Sequence, residues 1–323
     1  MTAITNGPFP EKPDIIFMGT PEFAVPVLKG LINEGHRILA VVTQPDRPKG
    51  RGRKTAVSPV KKLALEHDIE TLQPQKVSDS NFCDLIKKKA PDLIIVVAFG
   101  QILTDEILMI PEWGAINIHA SLLPRHRGAA PIQHSILNNE TLTGLTVIRM
   151  DEGLDTGPIL YQEEIPIKQD ETSGQLRDKL SGRSGDLIIR FLRLMAGNQI
   201  SEVPQEDSFA TYAPKITKNM SIIEWDMDAI RISSLIRALD PSPGACTGLG
   251  GKKLKLFSSR VLNERGSDSV PGRVVRANRA GLHVESGKGV IEIGEVQYPG
   301  KKRLPSKDFL MGFSLPEGTI LGD

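Results

Sequence analysis

A chain of 323 residues, 39% hydrophobic and 24% charged, can bury a sizeable core and is long enough for two domains. The formal net charge is only +1, but residues 1–208 carry 23 Lys+Arg against 27 Asp+Glu and residues 209–323 carry 17 against 12; the basic C-terminal part hints at a polyanionic partner. Cys83 and Cys246 have neither disulfide-framework nor paired-metal spacing, no apolar run reaches a membrane span, and Met1–Asp14 lacks the apolar core of a signal peptide, so a reduced chain in the cytoplasm is expected.

In chain order, Asp14–Met18 reads as a buried strand ending at Gly19-Thr20-Pro21, followed by a helix with Phe23, Val27, Leu28 and Leu31 at helical spacing. Ile38–Val42 is the next strand, which makes a βαβ opening and a parallel sheet. Gly19 stands alone before the helix, so the glycine fingerprint of dinucleotide binders is missing. The stretch Gln44–Lys54 holds two prolines, two glycines and five basic residues (Arg47, Lys49, Arg51, Arg53 and Lys54) and reads as a cationic, phosphate-contacting loop at a strand's C-terminal end. It has no Walker spacing.

Helices are expected from Ser58-Pro59 to Glu66 and over Ser78–Lys89, with a weak strand at Ile69–Leu72 between them. Leu93–Ala98 is apolar without alternation, the mark of a central parallel strand covered on both faces. A short helix after Thr104, a strand over Ala115–Ile118, a helix through Leu137 and strands at Thr143–Met150 and Ile159–Ile167 follow. Thr172–Gly197 is amphipathic and mostly helical, broken or kinked near Gly182 and Gly185. Polar residues then form a linker, and beyond it one helix, Ile230–Leu239, precedes short strands at Leu254–Phe257, Gly272–Ala277, Leu282–Val284 and Val290–Gln297. The expected fold class is α/β: a Rossmann-like, mostly parallel sheet domain (1–198), a linker (199–212) and a small C-terminal β-barrel of OB-like type (213–323).

Chemistry concentrates between Asn117 and Gly157. Asn117 and His119 lie two positions apart in a strand and so share a face, and the loop Asp151-Glu152-Gly153-Leu154-Asp155-Thr156-Gly157 supplies carboxylates. An amide donor, an imidazole and an orienting carboxylate are the parts of an acyl-transfer site. No Ser or Cys nucleophile stands among them, so direct attack by a substrate group is expected. His126 and His134 do not share metal-ligand spacing with His119, and no metal is implied.

These stretches resemble the 10-formyltetrahydrofolate-dependent formyltransferase family, in its methionyl-tRNA formyltransferase branch. The resemblance rests on Gly19-Thr20-Pro21, the basic loop, Asn117-x-His119-x-Ser121-Leu122-Leu123-Pro124, Gly128–Gln133 and Asp151–Gly157. It implies 10-formyltetrahydrofolate as formyl donor and the α-amine of methionyl initiator tRNA as acceptor, in a monomeric enzyme of translation initiation. Asn117, His119 and Asp155 would be catalytic. Folate would lie on Phe99, Gly100, Ile102, Leu103, Ser121, Leu122, Leu123, Pro124 and Asp151, and tRNA on Arg47, Lys49, Arg51, Arg53 and Lys54. Lys301-Lys302-Arg303 is either a second contact or an exposed turn of the barrel. The alternatives are a formyltransferase acting on an amino-sugar nucleotide or glycinamide ribonucleotide, and a non-catalytic RNA-binding protein on a decayed enzyme domain. One departure is Pro241–Thr247, where the resemblance leads to aromatic residues beside the prolines.

Overall fold

The computed structural model describes residues 8–49, 54–263 and 270–322. They fall into two compact units, one made of 1–128, 143–165 and 177–212, the other of 129–142, 166–176 and 213–323.

The first unit is built on β1 (Asp14–Gly19), α1 (Val25–Asn33), β2 (Arg37–Val42), β3 (Arg47–Lys49), β4 (Lys54–Ala56), α2 (Pro59–Glu66), β5 (Thr71–Leu72), α3 (Ser80–Lys89), β6 (Leu93–Val97), α4 (Asp105–Leu108) and β7 (Ala115–His119). Strands β8 (Leu142–Arg149) and β9 (Ile159–Pro166) complete a seven-stranded sheet in the order β5-β2-β1-β6-β7-β8-β9. The pairs from β5 to β7 are parallel, and β8 turns back antiparallel to β7. Every residue of β6 is buried, in keeping with its unbroken apolar run, and burying each such side chain is worth about 1.5–3 kcal/mol.

Local signals fix the helix starts. Ser58 Oγ accepts from Lys61 N at 3.2 Å with Pro59 in the first turn of α2, and Asp79 caps α3 through Asn81 N. Lys87, Lys88 and Lys89 sit in the last turn of α3, where the helix dipole favours cations.

Two sequence expectations are revised here. The basic stretch is not wholly a loop, because β3 and β4 pair antiparallel with Arg47 opposite Ala56 and Lys49 opposite Lys54. The root of this hairpin is held from behind. Lys61 Nζ meets Asp46 Oδ2 and Gln73 Oε1, both at 2.6 Å, while Gln73 Nε2 donates to Asp46 Oδ1 and the carbonyl of Gln44. The side-chain hydrogen bond from Lys61, then that from Gln73, hold the Asp46 carboxyl below its ordinary value.

The second revision concerns α6 (Ser173–Ala196), which runs unbroken past Gly182 and Gly185. A Cβ on Gly185 would lie 2.7 Å from the carbonyl oxygen of Pro26, and one on Gly30 would lie 3.2 Å from the carbonyl oxygen of Gly185. The glycines let the α1 and α6 backbones approach instead of breaking the helix.

The second unit contains α5 (Pro131–Leu137), α7 (Ala229–Ala238), β10 (Ala245–Leu249), β11 (Lys252–Asn263), β12 (Val274–Asn278), β13 (Gly281–Glu285), β14 (Val290–Gln297), β15 (Arg303–Pro305) and α8 (Ser306–Gly312). Its six strands pair antiparallel in the order β10-β11-β14-β13-β12, with β15 on β14, as a small barrel-type domain requires. Inward residues alternate along the strands (Leu254 and Leu256, Leu282 and Val284, Ile291 and Ile293), and they pack with Ile232 and Ile236 of α7. Buried Arg237 donates to the carbonyl of Glu171, to Asn139 Oδ1 and to Ser234 Oγ, tying segments 129–142 and 166–176 to α7. Strands β10 and β15 and helix α8 had no clear signal in the sequence.

Candidate active site

Strand β7 delivers Asn117 and His119 to one face, as their spacing requires. Opposite them stands Asp155, in the loop between β8 and β9. Asn117 Nδ2 donates to Asp155 Oδ1 at 3.3 Å, and His119 Nδ1 lies 3.5 Å from Asp155 Oδ2. Gly128 N donates to that same Oδ2 at 2.9 Å. His119 is only 6% exposed.

The other imidazole nitrogen fixes the ring's tautomer. His119 Nε2 is 2.9 Å from the carbonyl oxygen of His126, which can only accept, so Nε2 carries a proton. A neutral ring therefore turns a lone pair on Nδ1 toward Asp155, and a second proton on Nδ1 would convert that contact into an ion pair. The Asn117 amide retains one N–H with no partner among the described residues, and that N–H is free to meet an oxyanion.

The supporting turn is pinned from several sides. Ser121 Oγ donates to the carbonyl of Arg125 at 2.6 Å, Thr146 Oγ1 donates to the carbonyl of Ser121 at 2.6 Å, and Leu123 N donates to Thr146 Oγ1. Gln162 Nε2 reaches both the Leu123 carbonyl and Thr146 Oγ1 at 2.9 Å. The Leu123–Pro124 peptide is cis. Ser121 and Leu123 are thus buried parts of the scaffold.

The Asp155 loop is built on Asp151. Its Oδ1 accepts from Gly153 N at 3.1 Å and from Thr156 Oγ1 at 2.7 Å, an Asx turn. Asp155 itself has φ 56°, an uncommon left-handed conformation that aspartate tolerates better than most residues. Gly157 cannot be replaced cheaply, since a Cβ would fall 1.8 Å from the carbonyl oxygen of Arg149. Asp105 also acts on the carboxyl of Glu152 in this loop. Its side-chain hydrogen bond, then its charge, raises the Glu152 carboxyl above its ordinary value.

The residues named for folate divide by exposure. Phe99 and Leu103 belong to the packed core beside β1 and β6, and the Phe99 carbonyl accepts from Thr20 Oγ1 and Gln44 Nε2. Gly100 (φ 88°) and Ile102, 78% exposed, are open to solvent, as is Leu154 on the facing loop. Of the basic residues, Arg47 is exposed, Lys49 and Lys54 contribute backbone to β3 and β4, and Arg51 and Arg53 lie outside the described residues. Arg303 is committed elsewhere: it pairs with Asp240 at 2.7 Å and with Glu295, and lies 4.0 Å over the Phe257 ring. Among the described residues no group of three His, Cys, Asp or Glu side chains could hold a metal ion.

Residues 14–192 match the formyl transferase family, and residues 215–314 match the formyl transferase C-terminal domain. The chain belongs to the formyl transferase family. It is 49% identical over 309 residues to the methionyl-tRNA formyltransferase of Geobacter sulfurreducens, an alignment covering 96% of each chain. It is 45% identical to the methionyl-tRNA formyltransferase of Pelotomaculum thermopropionicum, over 96% of this chain and 98% of that one.

Among solved structures, HypX from Aquifex aeolicus in complex with tetrahydrofolic acid shares the fold at TM-score 0.62 and 18% identity, over 93% of this formyl transferase and 47% of HypX. The N-formyltransferase of Helicobacter canadensis, in complex with folinic acid and dTDP-3-aminofucose, does so at TM-score 0.65 and 19% identity, over 87% and 98%.

Sequence reasoning missed Gln205 and Thr211, which touch the backbone of the site, and Arg127, which holds Gln205. Only the burial of Arg127, 2% exposed inside a turn-rich motif, sets any of them apart, and burial is not written in the sequence.

Proposed function

We propose that this formyl transferase moves the formyl group of 10-formyltetrahydrofolate to the α-amino group of methionyl initiator tRNA. The single observation that carries the chemistry is the contact of Asp155 with both Asn117 and His119. The amine nitrogen attacks the formyl carbon, and the carbonyl electron pair moves onto oxygen. The free N–H of Asn117 donates to that oxyanion. His119 takes the amine proton at Nδ1, with Asp155 holding the resulting imidazolium. When the oxyanion collapses, the bond from carbon to the folate nitrogen breaks, and the proton passes from His119 to the departing nitrogen.

The acceptor is argued from extent and charge. Similarity to methionyl-tRNA formyltransferases covers 96% of the chain, and residues 215–314 match the formyl transferase C-terminal domain. In this reading residues 1–198 carry the chemistry, 199–212 connect, and 213–323 hold tRNA together with Arg47, Lys49, Arg51, Arg53 and Lys54. The exposed Gly100 and Ile102, with Leu122, Pro124 and Asp151 nearby in sequence to the site, shape the folate slot over Phe99, Leu103, Ser121 and Leu123. The enzyme works as a monomer in the cytoplasm. Among the described residues no helix is long and apolar enough to cross a membrane.

A single-turnover assay with labelled 10-formyltetrahydrofolate decides the acceptor. Offered methionyl initiator tRNA, glycinamide ribonucleotide and an amino-sugar nucleotide in parallel, the protein is expected to label only the tRNA. Label on a small amine would reject the tRNA reading, and no transfer to any acceptor would reject catalysis.

A further inference from the structure

The connecting segment reaches into the site from behind. Asp155 uses its carboxylate on Asn117, Gly128 and His119, while its backbone carbonyl faces the other way. Both hydrogens of the Gln205 side-chain amide are spent there: Nε2 donates to the carbonyl of Asp155 at 2.7 Å and to that of Gly157 at 2.8 Å. The amide oxygen is engaged as well, accepting from Arg127 Nε at 3.0 Å. Arg127 is buried, and its Nη2 ends on Asp207, 2.9 Å away and exposed.

Arg127 also lies between two residues that touch the catalytic groups. The carbonyl of His126 accepts from His119, and the N–H of Gly128 donates to Asp155. The same stretch is clasped once more from the connector. His126 N donates to Thr211 Oγ1 at 2.9 Å, and Arg127 N donates to the carbonyl of Thr211 at 2.8 Å. Residues 205–211 therefore bridge the turn that holds His119 and the loop that presents Asp155.

We infer that Gln205, itself oriented by Arg127, is a positioning residue for formyl transfer: it locks the left-handed Asp155 backbone so that the carboxylate meets Asn117 and His119 together. The inference rests on Asp155 being catalytic, and it assigns chemistry-supporting work to a segment that otherwise only connects. Glutamine is demanded by the pattern of donors. A glutamate at this position keeps the acceptor for Arg127 but brings an oxygen against two carbonyl oxygens.

The test is a double-mutant cycle on the full-length protein with both substrates varied. The variants are Gln205→Met, Gln205→Glu, Asp155→Ala and the pairs Gln205→Met/Asp155→Ala and Gln205→Glu/Asp155→Ala, each checked by thermal unfolding. Gln205→Met is expected to lower kcat on the order of 10- to 100-fold, the scale of a small misplacement of a reacting group, with KM for each substrate within about twofold. Gln205→Glu is expected to lose as much, and the loss is expected to vanish in the Asp155→Ala background.

A kcat within about twofold of the parent, an effect confined to KM, or the same fold loss added on top of Asp155→Ala would each overturn the inference. Should Gln205→Met fail to fold, Gln205→Glu, of nearly the same shape, carries the comparison. A parent-like kcat in the Asp155→Ala single variant would refute the catalytic reading of Asp155. That result comes from a different protein than the Gln205 singles, so the two failures are told apart.

Discussion

Within the site, Asp155 is the hinge of the arrangement, because one carboxylate oxygen meets Asn117 and the other meets His119. Removing the Asn117 amide takes away the proposed oxyanion donor and leaves Asp155 Oδ1 with one partner fewer. Asn117→Ala is expected to lower kcat by about 100- to 1,000-fold, the 2.7–4 kcal/mol typical of one lost oxyanion donor. His119→Ala is expected to lose at least about 100-fold in the same assay, the usual worth of a proton-transfer group. A folded His119→Ala variant with near-parent kcat would remove the imidazole from the mechanism. Arg303 shows the reverse lesson. Its place in a basic triplet suggested a nucleic-acid contact, but Asp240, Glu295 and Phe257 occupy it, so its charge serves the barrel-type domain.

At the level of elements, helix α6 shows how one residue type can carry opposite meanings. Glycine weakens an isolated helix, and two within a few residues argue for a break. The backbone of α1, close against Gly185, reverses that reading, because the missing Cβ is what permits the approach. Gly185→Val is expected to destabilise the protein by about 1–3 kcal/mol, the usual cost of overpacking, seen as a lower urea midpoint with an unchanged slope. Gly182→Ala, where a Cβ meets nothing within 4 Å, is expected to be neutral or mildly stabilising in the same titration. The basic hairpin follows the same logic, since the Lys61–Asp46–Gln73 cluster fixes its root at distances of 2.6–3.0 Å.

On the scale of the molecule, a net charge of +1 gives no global attraction for a polyanion, so tRNA affinity must come from local cations. Binding is expected to weaken steeply with salt, with a log–log slope of roughly −0.7 to −0.9 per neutralised phosphate. Arg51→Ala is expected to lower kcat/KM for tRNA and to flatten that slope by about one. Salt-independent turnover, or an unchanged slope in Arg51→Ala, would show that the hairpin does not touch the acceptor.

The sequence by itself determined most of the elements and the family. Unbroken apolar strands, capping residues and the period of 3.6 are local properties, and they placed β1, β2, β6, β7, α2 and α3 within a few residues of where they lie. Asn117 and His119 were legible as a pair because strand periodicity alone puts them on one face. What the tertiary structure decided is whatever depends on residues far apart in the chain. It decided that the His126 carbonyl takes one imidazole nitrogen, that Phe99 and Leu103 are core while Ile102 is exposed, and that Gln205 reaches Asp155 from fifty positions away. A polar residue in a linker looks the same in sequence whether it faces water or a catalytic loop. Only the packing of distant segments says which carbonyls need a donor, and that packing is a property of the folded chain.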